Sequence, residues 1–459
     1  MNPYTKLALK DDPALAGVMI WNENSIMGVN VFRITAKTPW HQSRYFEAIK
    51  AFAEKNGLPE ATLKAPWTPQ AKLVQNDIEY QWNHRAAEFL RNVGVKVPIT
   101  ADQIWGPMSS SSLPALTAGD VTDSHAYSRA EFINANPHYA GTPFQAFAWS
   151  HLADRPKTIT EYNVSGVGEA AEVGCDAFTI MPYIAAMGGF QRWEASMLYA
   201  YSQSGLGGIN TCSPWDSYNV APLIGMAPAA ALIYREGHVR PAEKTVYFPL
   251  SEDQSIYQAT DQTTSRAART VEERHRLLIG LDAIKELGWL KPTPAPADAE
   301  VVTDLQRDFI PPGDEVVSDT GELKRNWVNG TYVIDTPKTQ LAMGRLKGET
   351  IRTADVTFTI NSPEAAVALS SLDKKPLKES KRMLLTTAAR MEYKDKHFHT
   401  EPVDGAVELK SGAARLQLVP LKGDGTEMTP IPLQQKAGVY HIAIPATLGT
   451  HWFLIEEKQ

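Results

Sequence analysis

Between Gly17 and about Gln203 the chain alternates short apolar runs with helical patterns, which restricts it to folds assembled from βα units. The runs are Gly17-Val-Met-Ile-Trp-Asn-Glu23, Val95-Lys-Val-Pro-Ile-Thr100, Asp120-Val-Thr-Asp-Ser-His-Ala-Tyr127, Lys157-Thr-Ile-Thr-Glu161 and Ala195-Ser-Met-Leu-Tyr-Ala-Tyr201. Several end in polar or aromatic residues, the position at which a β/α barrel builds its active site. Between the first two runs the pattern predicts helices over 40–56 and 69–92, the second stopping toward Gly94. Apolar segments at 176–188 and 227–234 predict buried helices. Ser109-Ser-Ser-Ser112 reads as a loop just past a strand end, and Gly205-Leu-Gly-Gly208 as a turn without the strand–helix context of a phosphate loop.

After Arg240 the texture changes. Residues 244–250 read as a strand. Thr270-Val-Glu-Glu273 reads as a capping box ahead of an amphipathic helix carrying Leu277, Leu278, Leu281, Ile284 and Leu287, near 270–288. Lys291-Pro-Thr-Pro-Ala-Pro296 is a stiff connection. From Asn326 to Lys458, short β-type runs with turn signals such as Asn329-Gly330 and Gly423-Asp424-Gly425 predict an antiparallel sandwich. The expected division is 1–240 as a partial barrel and 241–459 as a mainly β-sandwich part with that one helix.

At 459 residues two or three domains are expected. With 45 Lys+Arg against 52 Asp+Glu the net charge is −7 and no basic stretch occurs, which argues against a nucleic-acid partner. No apolar run reaches the roughly 18–20 residues of a membrane helix, so no membrane partner is expected. Cys175 and Cys212 are too few for a disulfide framework; one bridge or two core thiols both stay open. The first ten residues lack the regions of a signal peptide, and cytoplasmic and secreted locations both remain open. His397-Phe-His399 has no third ligand at supporting spacing and reads as a surface strand; neither metal nor organic cofactor is expected.

Glu23 and Glu161 each end an apolar run. A lone Glu inside a buried strand would cost several kcal/mol of desolvation, so a strand end facing a polar cleft is the workable place for it. Glycoside hydrolysis needs such a pair, one carboxyl protonated to assist the leaving oxygen and one ionised.

Trp21-Asn22-Glu23-Asn24 resembles the Asn-Glu signature at the end of the fourth strand of clan A glycoside hydrolases. Ile159-Thr160-Glu161-Tyr162-Asn163 resembles the seventh-strand nucleophile motif of that clan, and Asp123-Ser-His125-Ala-Tyr127 its sixth-strand His and Tyr pair. The separation of 138 positions between the two glutamates leaves room for the intervening βα units. The resemblance covers about residues 2–240. It implies Glu23 as acid/base and Glu161 as nucleophile of a retaining β-glycosidase. It further implies Asn22 as the partner of the sugar 2-hydroxyl, Tyr127 as the group holding Glu161, and His125 as orienting a carboxylate or the substrate. Trp21, Trp105, Trp149, Trp193, Tyr199 and Tyr201 are candidate sugar-stacking platforms, with Trp105 and Tyr201 singled out.

By this resemblance the fold is a TIM-type (β/α) barrel lacking strands one to three, followed by the sandwich. Five parallel strands do not close. Three explanations stand: a fragment, a homo-oligomer covering the open side, or replacement by the C-terminal region; the oligomer is favoured. The expected partner is a β-glycoside or polysaccharide. The rival expectation is a non-catalytic carbohydrate-binding or assembly protein built on a truncated barrel.

Overall fold

The computed structural model describes residues 1–458 apart from 25, 27–35, 65–67, 106–110, 129, 143, 165–176, 204, 207–214, 259–264 and 396. Cys175 and Cys212 lie outside the described residues, as do Ser109, Ser110, Gly207 and Gly208.

The predicted alternation becomes one parallel sheet, ordered β1 (Val18–Met19), β2 (Ile99–Trp105), β3 (Val121–Ser128), β4 (Lys157–Val164) and β5 (Ala195–Leu198). Helix α1 (Pro39–Asn56) starts with Pro at its first turn and ends at Gly57, whose φ of 66° is the left-handed cap that glycine adopts freely. It buries Tyr45, Ile49, Phe52 and Ala53, one stripe at helical spacing. Helix α2 (Pro69–Asn92) is capped by Thr68, whose side chain accepts from the Ala71 N–H. Helix α3 (Ala177–Gln191) is apolar all round because it is buried all round, packed against α4 (Ala227–Tyr234).

The TIM-type barrel is corrected by this structure. The five strands form a half-barrel, most strands lie in mainly antiparallel sheets, and the described residues contain no closed barrel. Closure needs every strand to find two neighbours. Here β1 and β5 end the sheet, and the next parallel strands make a separate one, β7 (Arg276–Leu281), β6 (Thr245–Leu250) and β8 (Glu300–Val301).

The amphipathic helix near 270–288 is also corrected. A short helix, Arg266–Val271, is capped by Ser265, and the following residues extend as β7. Leu277, Leu278, Ile279 and Leu281 are all buried because β7 is covered on both faces. A continuous apolar run is what such a strand requires, and its leucines fall by coincidence at helical spacing.

Residues 315–457 form antiparallel sheets of nine, five and two strands, the last pairing Met391–Lys394 with His397–Thr400. The nine-stranded sheet is a shared wall. Along its central strands Thr339–Arg345 and Glu364–Ser371, side chains alternate between two cores. Leu341, Met343, Ala366 and Ala368 join the core of the parallel half, with α3 and α4. Ala342, Ala365, Val367 and Leu369 join the sandwich core, opposite Phe358, Val407 and Ile442.

Arg325, on the nine-stranded sheet and fully buried, ties the halves together. It makes a two-pronged ion pair with buried Glu273 and donates to the carbonyls of Ile133 (3.0 Å) and Ala135 (2.6 Å). Removing one partner of a buried pair strands the other charge. Arg325→Leu is therefore expected to lower stability by about 3–5 kcal/mol, read as a shift of the urea midpoint.

Candidate functional site

Each of the three strand pairings β2–β3, β3–β4 and β4–β5 slips register once, between Thr100 and Gln103, Asp123 and His125, and Ile159 and Tyr162. Such bulges re-aim side chains. The polar residues of the site stand at or just past these slips, at the C-terminal ends of the strands.

Glu23 follows β1 with a φ of 52°, a left-handed backbone uncommon for a residue with a side chain. That conformation costs on the order of 1 kcal/mol or more and persists because its neighbours dictate it. The fully buried Gln103 amide clamps the turn, accepting from the Glu23 N–H (2.7 Å) and donating to the Trp21 carbonyl (2.8 Å). Asp102 accepts from the Asn24 N–H at 3.0 Å. The result turns the Glu23 carboxyl toward His125.

His125, on β3 and fully buried, meets Glu23 Oε1 through Nδ1 at 2.7 Å and Thr160 Oγ1 through Nε2 at 2.9 Å. The proton positions follow from what each group is able to donate. Asp123, buried beneath, accepts from the Thr158 hydroxyl and from the Thr160 hydroxyl (2.7 Å to the latter). Having spent its hydrogen on Asp123, Thr160 accepts from His125, so Nε2 carries the imidazole proton. Nδ1 then offers a lone pair, and the Glu23 carboxyl donates to it.

The electrostatics agree. Burial pushes His125 down to about 3, assisted by the Lys157 charge, so the ring is neutral. Glu23 is pushed up to about 7, first by burial, then by the charges of Glu161 and Asp102. Glu161, on β4, accepts from the Tyr127 hydroxyl at 2.5 Å. Burial raises it as well, and that hydrogen bond pulls it back. Glu23 thus keeps its proton up to about pH 7, while Glu161 has a phenol donor that favours its charged form.

Glu23, His125 and Glu161 present ligand atoms within 4.8 Å of one another, a grouping that could also hold a cation. In the present arrangement both ring nitrogens of His125 are engaged, Nδ1 at 2.7 Å from Glu23 Oε1 and Nε2 at 2.9 Å from Thr160 Oγ1.

Glu23, Glu161, His125 and Tyr127 are therefore brought together. Asn22 is exposed beside Glu23, and Trp105 and Tyr201 are half-exposed at the end of β2 and beyond β5. Trp149 and Trp193 are buried in the core and are no stacking platforms. Trp21 is taken up by stacking on Trp82 of α2, centroids 5.4 Å apart.

No protein-family model matches the chain, and no curated protein matches it. Among solved structures, a glucosidase from Croceicoccus marinus aligns with a TM-score of 0.29 and 9% identity, over 84% of this chain and 65% of that one. The chain so spans just under two thirds of the glucosidase's length.

Several site residues were not picked out from the sequence. Thr160 holds His125, with Asp123 on β3 and Thr158 on β4 behind it, and the alternate threonines of β4 beside the His-containing run were the available signal. Gln103 acts through the backbone and leaves no motif. Trp215 packs edge-on against Tyr127 (5.0 Å) and Tyr199 (6.0 Å) at the mouth; lying outside any strand, it carried no signal beyond its residue type.

Because the folded protein holds the Glu23 proton more tightly than the unfolded chain does, this group stabilises the fold most below about pH 4.5 and loses that contribution as pH rises through about 7. In a carboxyl-carbon NMR titration, Glu23 is expected to titrate near 7. In Glu161→Gln the midpoint should fall, since one of the charges raising it is gone. An unchanged midpoint would mean that the two carboxyls do not face each other.

Proposed function

We propose that the chain is a retaining β-glycosidase in which Glu161 is the nucleophile and Glu23 the acid/base. The observation that carries this reading is the inequivalence of two facing carboxyls. Glu23 is paired with a ring nitrogen of a neutral histidine and raised to about 7, and Glu161 accepts from a phenol hydroxyl. One oxygen of each carboxyl lies within 4.8 Å of the other's, so the two face each other across a short gap.

Glu161 attacks the anomeric carbon as Glu23 gives its proton to the leaving oxygen. The new glycosyl ester removes the negative charge from Glu161 and with it one cause of the raised Glu23 value. Glu23 then takes a proton from water, which attacks the same carbon and releases the sugar with retained configuration. Asn22 faces solvent next to Glu23 and is assigned the 2-hydroxyl; Trp105, Tyr201 and Trp215 are the exposed aromatic surfaces near the mouth.

One observation favours a second reading, a protein that binds glycans without cutting them: the half-barrel is open beside β1, where Met19 and Trp82 remain exposed. A second copy across this flank would complete the wall. Sedimentation velocity reads that directly, a dimer favouring the glycosidase and a monomer the second reading.

The deciding experiment is hydrolysis of a panel of aryl β-glycosides (glucoside, galactoside, mannoside, xyloside, cellobioside). Turnover by wild type is expected, falling about 10⁴-fold or more in Glu161→Ala, with azide restoring activity as the glycosyl azide of inverted configuration. A folded wild type that binds oligosaccharides but turns over none of the panel favours the second reading.

A further inference from the structure

At one end of the β-sandwich lies a cavity of about 230 Å³ that opens to solvent. Its walls come from Thr387, near the end of strand Arg382–Ala389, from residues 400–403 and from the turn at 446–451. At about 30 Å³ per water it has room for roughly seven or eight waters, the bulk of a single sugar ring with its hydroxyls. None of the wall residues belongs to the parallel sheet or to the carboxyl pair.

The polar groups of the walls are set by hydrogen bonds made behind them. The Thr387 N–H donates to the His451 carbonyl (2.8 Å), and His451 Nδ1 donates to the Thr387 carbonyl (2.7 Å). A carbonyl only accepts, so Nδ1 carries the ring proton, and burial keeps the ring neutral. Nε2 is therefore a lone pair. Gly225 makes room for this ring, since a Cβ there would stand 2.9 Å from its Cγ. Glu401 is fixed through Oε2, which accepts from Arg390 Nε at 2.8 Å. Thr387 is 2% exposed, and its hydroxyl has no partner among the described residues. A buried hydroxyl is costly unless water or a ligand answers it.

These groups select a class of ligand. The Glu401 carboxylate and His451 Nε2 accept and have nothing to give, so a ligand has to donate to both. The Arg390 guanidinium is engaged with Glu401, and a phosphate or carboxylate entering the cavity would meet the Glu401 charge. Pro402, Val403 and Ala446 add apolar surface. A neutral sugar answers all of this, because its hydroxyls donate and accept around the ring while its C–H face covers apolar wall.

We infer that this cavity binds one neutral monosaccharide, whose hydroxyls donate to Glu401 and to His451 Nε2 and pair with Thr387. The site lies where the sandwich meets the helix Ala221–Gly225, whose last carbonyl accepts from Trp452 Nε1 at 2.7 Å. It is separate from the acid/nucleophile pair and does not rest on that reading.

The test uses the full chain with its Ala, Thr and Val methyl groups labelled, observed by methyl NMR during titration with glucose, galactose, mannose and xylose in turn. At least one sugar is expected to move the Thr387, Val403 and Ala446 signals along one saturating curve, and to do so equally in Glu161→Ala. Thr387→Val keeps the shape of the side chain and removes its hydroxyl, and should weaken the binding read at Val403 and Ala446 about tenfold. Ala446→Phe fills the cavity and should abolish it. Methyl signals away from the cavity, unmoved in both variants, establish that the fold is kept.

Signals that stay still under every sugar overturn the inference. So do shifts that persist at full strength in Thr387→Val and Ala446→Phe, or a preference for glucose 6-phosphate over glucose. A chain that shows the expected shifts and cleaves no aryl glycoside keeps this site and loses only the glycosidase reading.

Discussion

A buried carboxylate accepts hydrogen bonds and cannot give them, and at Asp123 that restriction propagates outward to the surface of the site. Two threonine hydroxyls must point at it, so Thr160 has only a lone pair left for His125. The imidazole must then hold its hydrogen on the inner side and show a lone pair on the outer side, where Glu23 stands. A group without solvent access thereby decides the protonation of a group that has it. The arrangement is stiff because each member has spent its donors and acceptors, which is the condition under which buried polar networks specify one geometry.

The fold supplies the two conditions this network needs. Parallel strands bring the ends of β1, β3 and β4 to one rim, and the register slips aim His125 and Glu161 at Glu23. The nine-stranded sheet supplies burial from behind. Its alternate residues enter the core shared with α3 and α4, so the parallel sheet keeps a dry back although it never closes into a barrel. Low dielectric behind the rim makes the shifts of Glu23 and His125 large.

The part legible in the sequence is the part written along single runs. Glu23, His125, Tyr127 and Glu161 each end or interrupt an apolar strand pattern, and all four meet at the rim. What stayed illegible depends on contacts between runs. Asp123, Lys157 and Gln103 look like ordinary strand residues until neighbouring strands are in register. The left-handed backbone of Glu23 has no signal in its residue type. Leu277, Leu278 and Leu281 misled because a strand covered on both faces and a helix covered on one share the same spacing over five residues. Trp149 and Trp193 misled because an aromatic near a strand end reads alike in a cleft and in a core. The barrel fold class was the larger error: the five parallel strands form a half-barrel, while most strands lie in mainly antiparallel sheets and a separate parallel set forms its own sheet.

The central claim is that Glu161 forms a bond to sugar while Glu23 supplies and retrieves a proton. A 2-deoxy-2-fluoro glycoside with an activated leaving group, matched to the aryl glycoside that is turned over, stops such a reaction at the covalent stage. Mass spectrometry of the digested protein is predicted to find the fluorosugar on the peptide carrying Glu161. A label on any other residue, or release of product with inverted configuration, would contradict the account.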